Sequence, residues 1–380
     1  MLGVNLAWFI LALIALIIVH EAGHMIVAKW VGMWVEKFSI FFGRPLWRVQ
    51  RGETEYVFGW IPLGGYVKIT GFNVDPDTLT PEEYARAYDT KKPWQRIAVI
   101  LAGPAVNILL AFVLFAATFM IGVPQLETSN GIGEVREDSI AQQIGLQPGD
   151  RVVAIDGKGD GDVAEIVSGL RSNEVGDRVT VTYVREGGEV VKRTVTLPPL
   201  LDTSGDPVVD PETNEPVPGL GVVFARENVG TDREGPVGAV VRAGDLTQRI
   251  VVLNGETLVA LFTNDEVGIG DGTTVNARES VSGPIRIGAA ADQVADQGIA
   301  SVIFFIAFIS LALGIFNLLP LLPLDGGHIA VAMVDKLSGG RVPRALVERL
   351  SLAGFVLLIF VGVLVAQQDV QAVVNGNVVP

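Results

Sequence analysis

The sequence predicts a polytopic α-helical membrane protein with four transmembrane helices, a membrane-associated β region and an inserted extracytoplasmic β-rich domain. Three observations predict it. Four long runs are almost free of charge, in a chain of 380 residues that is 49% hydrophobic and has a mean hydropathy of +0.44. Basic residues cluster at particular ends of those runs. Between the second and third runs lies a long acidic segment with the alternation and turn residues of short strands.

Each run is long enough to span a bilayer core, which takes ~17–25 residues of helix. The first run covers 1–19 and continues, polar groups included, to about Val27; the others are Ile97–Val123, Gly298–Leu324 and Leu350–Ala366. Residues 1–28 contain no Lys or Arg, and the first run ends in HEAGH. That is the pattern of a span rather than a leader with a basic start and a small-residue cleavage site.

Charge placement orients the spans. Residues 27–96 hold 10 Lys/Arg and 8 Asp/Glu, with Lys29 after the first run and Lys91, Lys92 and Arg96 before the second. Residues 124–297 hold 14 Lys/Arg and 29 Asp/Glu. Lys336, Arg341, Arg344 and Arg349 lie between the third and fourth runs. Positive charge marks the cytoplasmic side. So 28–96 and 331–349 are expected inside, 124–297 outside, and both termini, including the tail 369–380, extracytoplasmic. The expected home is the inner (plasma) membrane. The absence of cysteine excludes disulfides, Cys metal sites and thiol catalysis, and the net charge of -14 argues against a nucleic-acid partner.

The intervening segments follow in order. Residues 52–71, GETEYVFGWIPLGGYVKITG, mix strand formers with five glycines and read as short strands joined by turns. An extended edge there suits strand addition by a peptide; an interfacial hairpin anchored by Trp60 and Tyr66 is the other reading. Residues 72–90 read as a loop with one short helix from Pro81. Residues 131–199, within a 124–200 domain, read as a small β unit with one or two helices. For 201–297 the expectation is a linker followed by strand-like runs such as GVVFA and IVVLNG. There RAGDLTQRIVVLNG echoes LQPGDRVVAIDG, which leaves room for a degenerate second copy.

The chemistry starts at HEAGH, residues 20–24. His20 and His24, four apart on a helix, share one face and can ligate one zinc ion. Glu21 can act as base toward water whose pKa the metal lowers to ~7. Ionisable groups inside membrane helices are costly and point to function. Zinc in a catalytic site takes three protein ligands, and the third run ends in NLLPLLPLDGGH, residues 317–328. Both Asp325 and His328 qualify by chemistry. The first and third spans run in the same direction, so the two motifs reach the same membrane depth. Pro320 and Pro323 break the helix there, which membranes tolerate where backbone is buried in protein or lines a wet cavity. In AGPAVN, residues 102–107, Gly103 and Ala105 permit close helix approach. Asn107 and Asn317 are amides that either bind a substrate backbone or cross-link helices.

These motifs resemble the site-2 protease family of intramembrane zinc metalloproteases, in its bacterial form with an inserted PDZ domain. The resemblance rests on HEAGH, GYVKITG at 65–71, AGPAVN, a PDZ-like 131–199, SGP at 282–284 and the 317–328 motif, and covers most of the chain. It implies that His20, His24 and Asp325 bind one catalytic zinc, with Asp325 chosen over His328, and that Glu21 activates water. It implies that Asn107 and Asn317 support substrate or transition state, and that Gly65, Tyr66, Val67 and Lys68 present substrate in extended form. The implied substrates are single-span membrane proteins, such as anti-sigma factors already trimmed by another protease, or signal-peptide remnants. Family members with two tandem PDZ domains are well known; one clear copy stands here.

Overall fold

The computed structural model describes residues 2–71, 79–159, 161–201, 207–210, 215–263, 266–268, 274–276, 286–288, 291, 294–295, 297–339 and 342–374. They form two units, one of residues 1–123 with 233–380, the other of 124–232. The SGP stretch at 282–284 lies outside the described residues.

The first unit begins with helix α1, Leu2–Trp30, which is apolar up to Val19 apart from Asn5 and then carries His20, Glu21, His24 and Lys29. Strands β1 (Val35–Arg51) and β2 (Thr54–Ile69) follow as a long hairpin. Both strands bend, and Phe38 pairs with Tyr56 on one side and Val67 on the other, while Val49 pairs with Tyr56 farther along. The result is four segments in the order 45–51, 54–58, 35–40, 65–69, with 65–69 at an edge. Phe41 and Gly43 take positive φ at the bend. Helix α2, Pro81–Ala85, starts at the expected proline, and Thr80 and Glu83 close a capping box around its first turn. Arg86 holds Glu53, at the hairpin turn, through two hydrogen bonds of 2.7 and 2.8 Å, and its guanidinium lies 4.9 Å from the Trp34 ring. This ties the sheet to the segment leading into helix α3, Pro93–Ile121.

The second unit is a five-stranded sheet with two short helices. Strand β3 is Val123–Val135, helix α4 Ile140–Gln143, β4 Arg151–Ile155, helix α5 Val163–Arg171, β5 Arg178–Val184, β6 Val190–Thr196 and β7 Val222–Asp232. The strand order is β6-β5-β4-β3-β7. Alternation in β5 buries Val179, Val181 and Tyr183 completely, against Ile132, Val152, Ile155 and Ile166. The buried Tyr183 hydroxyl donates to the Ile144 carbonyl at 2.9 Å. Ser139 and Asp162 cap the two helices. The expected boundary at 200 is too early: β7 comes from beyond the linker to pair beside β3, so the unit runs to Asp232.

The chain returns to the first unit as helix α6, Pro236–Thr263. This corrects the expectation of strands there. RAGDLTQRIVVLNG lies wholly within α6, so the echo of LQPGDRVVAIDG forms no second β copy. The physical reason is periodicity. Ala239, Ala243, Leu246 and Ile250 recur at helical spacing and pack on Ala111, Phe115 and Phe119 of α3. The short strands β8 (Glu266–Gly268) and β9 (Thr274–Asn276) pair with each other. Helices α7 (Ile299–Asn317), α8 (Asp325–Ser338) and α9 (Arg344–Val374) complete the unit. Most of the expected loop 331–349 is thus helical, and α9 extends into the expected tail.

Among the described residues four helices, with cores at Ala7–Trp30, Pro93–Ile121, Ile299–Asn317 and Ala345–Gln371, are long and apolar enough to cross a membrane. Helix α3 is central, packing against α1, α6, α7 and α8. Small residues set the spacing, as expected where apolar surroundings give no hydrophobic drive. A Cβ on Gly23 would stand 2.7 Å from the Ala102 carbonyl, and one on Gly314 3.0 Å from that of Pro104. Ala105, expected at a close contact, is exposed.

Candidate metal centre

Helix α1 delivers His20, Glu21 and His24 from its last turns, and α8 delivers Asp325 at its N-terminus. The α7 helix stops at Asn317, and the residues with Pro320 and Pro323 carry the chain round to Leu324 before α8 starts. The structure brings three of the predicted residues together. His20 Nε2 and His24 Nε2 lie 3.2 Å apart, and Asp325 Oδ2 lies 3.2 Å from the first and 3.4 Å from the second. Among the described residues this is the one group of three that can hold a metal ion. His328 lines the same cavity but is outside the group.

Zinc fits this set on two counts. Metal–ligand bonds of ~2.0–2.1 Å in a tetrahedron imply ligand atoms about 3.3 Å apart, which matches all three separations. Asp325 Oδ2 is also buried without a hydrogen-bond partner. It stands 3.2 and 3.4 Å from the two imidazole nitrogens, so the three atoms converge on one point. A cation between these atoms would take up both Nε2 lone pairs and neutralise the buried carboxylate.

Helix α3 supplies no ligand but surrounds the rings. The Val99 carbonyl accepts from His24 Nδ1 at 2.8 Å, which leaves Nε2 to the metal. Gly103 faces both rings, and an added Cβ would collide with His24 Nε2. Asn107, fully buried, lies with Nδ2 at 3.2 Å from His20 Nδ1. The Val99 carbonyl had no side-chain signal by which sequence could find it; Gly103 was legible only as a small residue.

A cavity of about 280 Å³ opens in front of the three ligands, lined by Glu21, Gly65, Tyr66, Val67, Asn317 and His328 among others. Segment 65–69 pairs with 35–40 along one side only among the described residues. A Cβ on Gly65 would stand 2.8 Å from the Ser39 carbonyl and 3.0 Å from Glu21 Cγ. The strand therefore passes Glu21 closely because residue 65 has no side chain. Lys68, next along, pairs with Glu36 at 2.6 Å. Asn317 Nδ2 donates to the Leu313 carbonyl of its own helix at 2.9 Å, so part of its amide remains for the cavity. Asn317 thus faces the cavity, whereas Asn107 faces a histidine ring.

A four-helix apolar body with this triad on helices from opposite ends of the chain defines a class of membrane metallohydrolase. The chain belongs to peptidase family M50, whose model matches residues 8–361. A protein of Mesorhizobium japonicum named as a zinc metalloprotease is 34% identical over 369 residues, 92% of this chain and 94% of its own. A Clostridium perfringens protein named likewise is 32% identical, over 95% and 97%. The regulator of sigma-E protease of Salmonella typhimurium is 30% identical over 450 residues, 93% of this chain and 96% of its own. A solved PDZ domain of an SdrC-like protein from Listeria innocua aligns over 26% of this chain with 25% identity and a TM-score of 0.21. The protein is a zinc metalloprotease of the site-2 type.

Proposed function

We propose that this enzyme hydrolyses peptide bonds within or near the membrane-spanning segment of single-span membrane proteins. The observation that carries this reading is the position of the metal triad. His20 and His24 lie within the apolar span Ala7–Trp30 of α1, and Asp325 follows the end of α7, beside a strand edge rather than on a solvent-exposed domain. A helical substrate has its peptide groups bonded internally and must open before attack. The free edge at Gly65, Tyr66, Val67 and Lys68 offers backbone groups to such an extended segment.

His20, His24 and Asp325 would hold the zinc, which when bound would supply Lewis-acid polarisation of a carbonyl and lower the pKa of water. Glu21 takes the proton of the attacking water and passes it to the leaving amide nitrogen. Asn317 holds the substrate backbone with the part of its amide that Leu313 does not engage. The basic residues around 28–96 and 331–349 support a cytoplasmic location for these segments at the inner membrane, with both termini outside. Unit 124–232 is then extracytoplasmic and acts as a PDZ-like filter on substrates. The Salmonella relative is named a regulator of sigma-E protease, which is in keeping with membrane-bound anti-sigma factors as one substrate class; in this reading another protease trims them first. Signal-peptide remnants are a second.

The test is cleavage of tagged single-span substrates in liposomes, by the wild type and Glu21→Gln in parallel, with product masses read out. The expected result is cuts inside the membrane segment by the wild type. Glu21→Gln should hold equal zinc with a rate lower by ~10²–10⁴. Undiminished cleavage by Glu21→Gln, or cleavage of soluble peptides alone, would refute the reading.

A further inference from the structure

The zinc ligands reach the metal through Nε2 of both histidines, on the reading above, and helix α3 meets both rings from behind. His24 is held by main chain, its Nδ1 donating to the Val99 carbonyl. His20 is held by a side chain, with Asn107 Nδ2 3.2 Å from Nδ1. A neutral imidazole carries one proton. When Nε2 of His20 gives its lone pair to a cation, the proton must sit on Nδ1. An amide NH2 opposite it would set donor against donor.

The two ends of a carboxamide are nearly the same size, so its orientation follows hydrogen-bond demand. Asn107 is fully buried, and its Oδ1 has no hydrogen-bond partner. Its main chain is fixed, because the Ser310 hydroxyl of α7 donates to the Asn107 carbonyl at 2.9 Å. Turning only the amide by half a rotation places Oδ1 against His20 Nδ1–H. One end of the amide lacks a protein partner in either orientation, so the proton on Nδ1 decides between them.

We infer that Asn107 is a positioning residue for the metal. Its side-chain carbonyl accepts the Nδ1–H of zinc-loaded His20 and holds the ring in the tautomer that offers Nε2. This moves Asn107 from the substrate to the ring behind the ligand. Partners of this kind fix ring orientation and raise ligand basicity, and their loss typically weakens metal binding by ~10–100-fold.

The inference rests on the ligand set proposed above, and the experiment separates the two. Zinc affinity is measured by competition with a chromophoric chelator in detergent for the wild type, His24→Ala, Asn107→Ala and Asn107→Asp. The wild type should bind and His24→Ala should not. Asn107→Ala should bind ~10–100-fold more weakly. Asn107→Asp, which keeps an acceptor opposite Nδ1, should stay close to the wild type. A residue that only packed α3 would change folding stability without separating Ala from Asp. Nitrogen NMR of the zinc-loaded wild type, with its three histidines labelled, should find His20 protonated at Nδ1. Should Asn107→Ala fail to fold, the Asp variant and the NMR signal still decide. Wild-type affinity in Asn107→Ala, a loss in Asn107→Asp as large as in Ala, or an unprotonated Nδ1 would overturn the inference. Zinc retained by His24→Ala would overturn the ligand set, and the inference with it.

Discussion

Adding one methyl group at residue 103 should empty the metal site. Gly103 is buried at the face of α3 toward α1, and a Cβ there would collide with His24 Nε2. It would also stand 2.6 Å from His24 Cε1 and 2.8 Å from His20 Cε1. Carbon atoms in contact prefer separations of ~3.5–4.0 Å, so both rings must retreat by about 1 Å. The His24 ring cannot retreat freely, because its Nδ1 is bonded to the Val99 carbonyl one turn away on the same helix. Displacements of this size at a reacting centre cost ~10²-fold in rate, and here the displaced atoms are the proposed ligands. Gly103→Ala should therefore weaken zinc binding and lower cleavage by ~10²-fold or more. The helix itself should not suffer, since Ala is favoured over Gly in a helix interior by ~1 kcal/mol. The assay is zinc content after purification, paired with circular dichroism and cleavage. A Gly103→Ala protein with full zinc and wild-type cleavage would refute the packing argument.

Gly65→Ala offers the converse, because the added atom meets Glu21 Cγ and the Ser39 carbonyl rather than a ligand. Zinc should remain while cleavage falls, and equal loss of both in a zinc titration would count against it. Asp325→Ala should lose far more zinc than His328→Ala, as only Asp325 belongs to the triad; equal retention in a chelator competition would sink the assignment. Hydrogen bonding from Arg86 holds the Glu53 carboxyl below its ordinary value of 4.5. A carboxyl depressed in the folded state adds stability above the unfolded value and loses it as pH falls through the lower folded one. Melting curves of the wild type and Glu53→Gln should thus differ at neutral pH and converge in acid below 4.5. A difference that persists there would refute the assignment.

Charge-poor runs and the HEAGH spacing made the apolar helices and two members of the clustered triad legible, because helical periodicity and the cost of burying charge act locally. The expectation that two spans running in one direction share an end pointed from HEAGH to the Asp325 motif. What stayed hidden depended on partners distant in sequence. The stretch IVVLNG has the composition of a strand, and only α3, by receiving Ala239 and Ala243, makes its helical spacing decisive. Strand β7 belongs to a sheet whose other members end more than twenty residues earlier, across a linker with no sign of returning. An isolated buried asparagine likewise says only that it needs a partner; that the partner is His20 follows from how α1 crosses α3.

That crossing explains why AGPAVN matters although it contains no ligand. Val99, Gly103 and Asn107 are spaced at four residues, so they occupy successive turns of one face of α3. The first offers a main-chain acceptor to His24, the second an empty space for both rings, the third an amide to His20. The Gly23 contact presses α1 against α3 at Ala102, which sets the depth at which the rings meet these groups. On the other side Ser310 of α7 grips the Asn107 main chain, and beyond α7 comes the turn that carries Asp325. One helix thus indexes the ligands from both ends of the chain. A shift of α3 by one residue along its axis, about 1.5 Å, would disturb the supports of both histidines together, so the metal centre is as sensitive to the packing of this span as to the identity of its ligands.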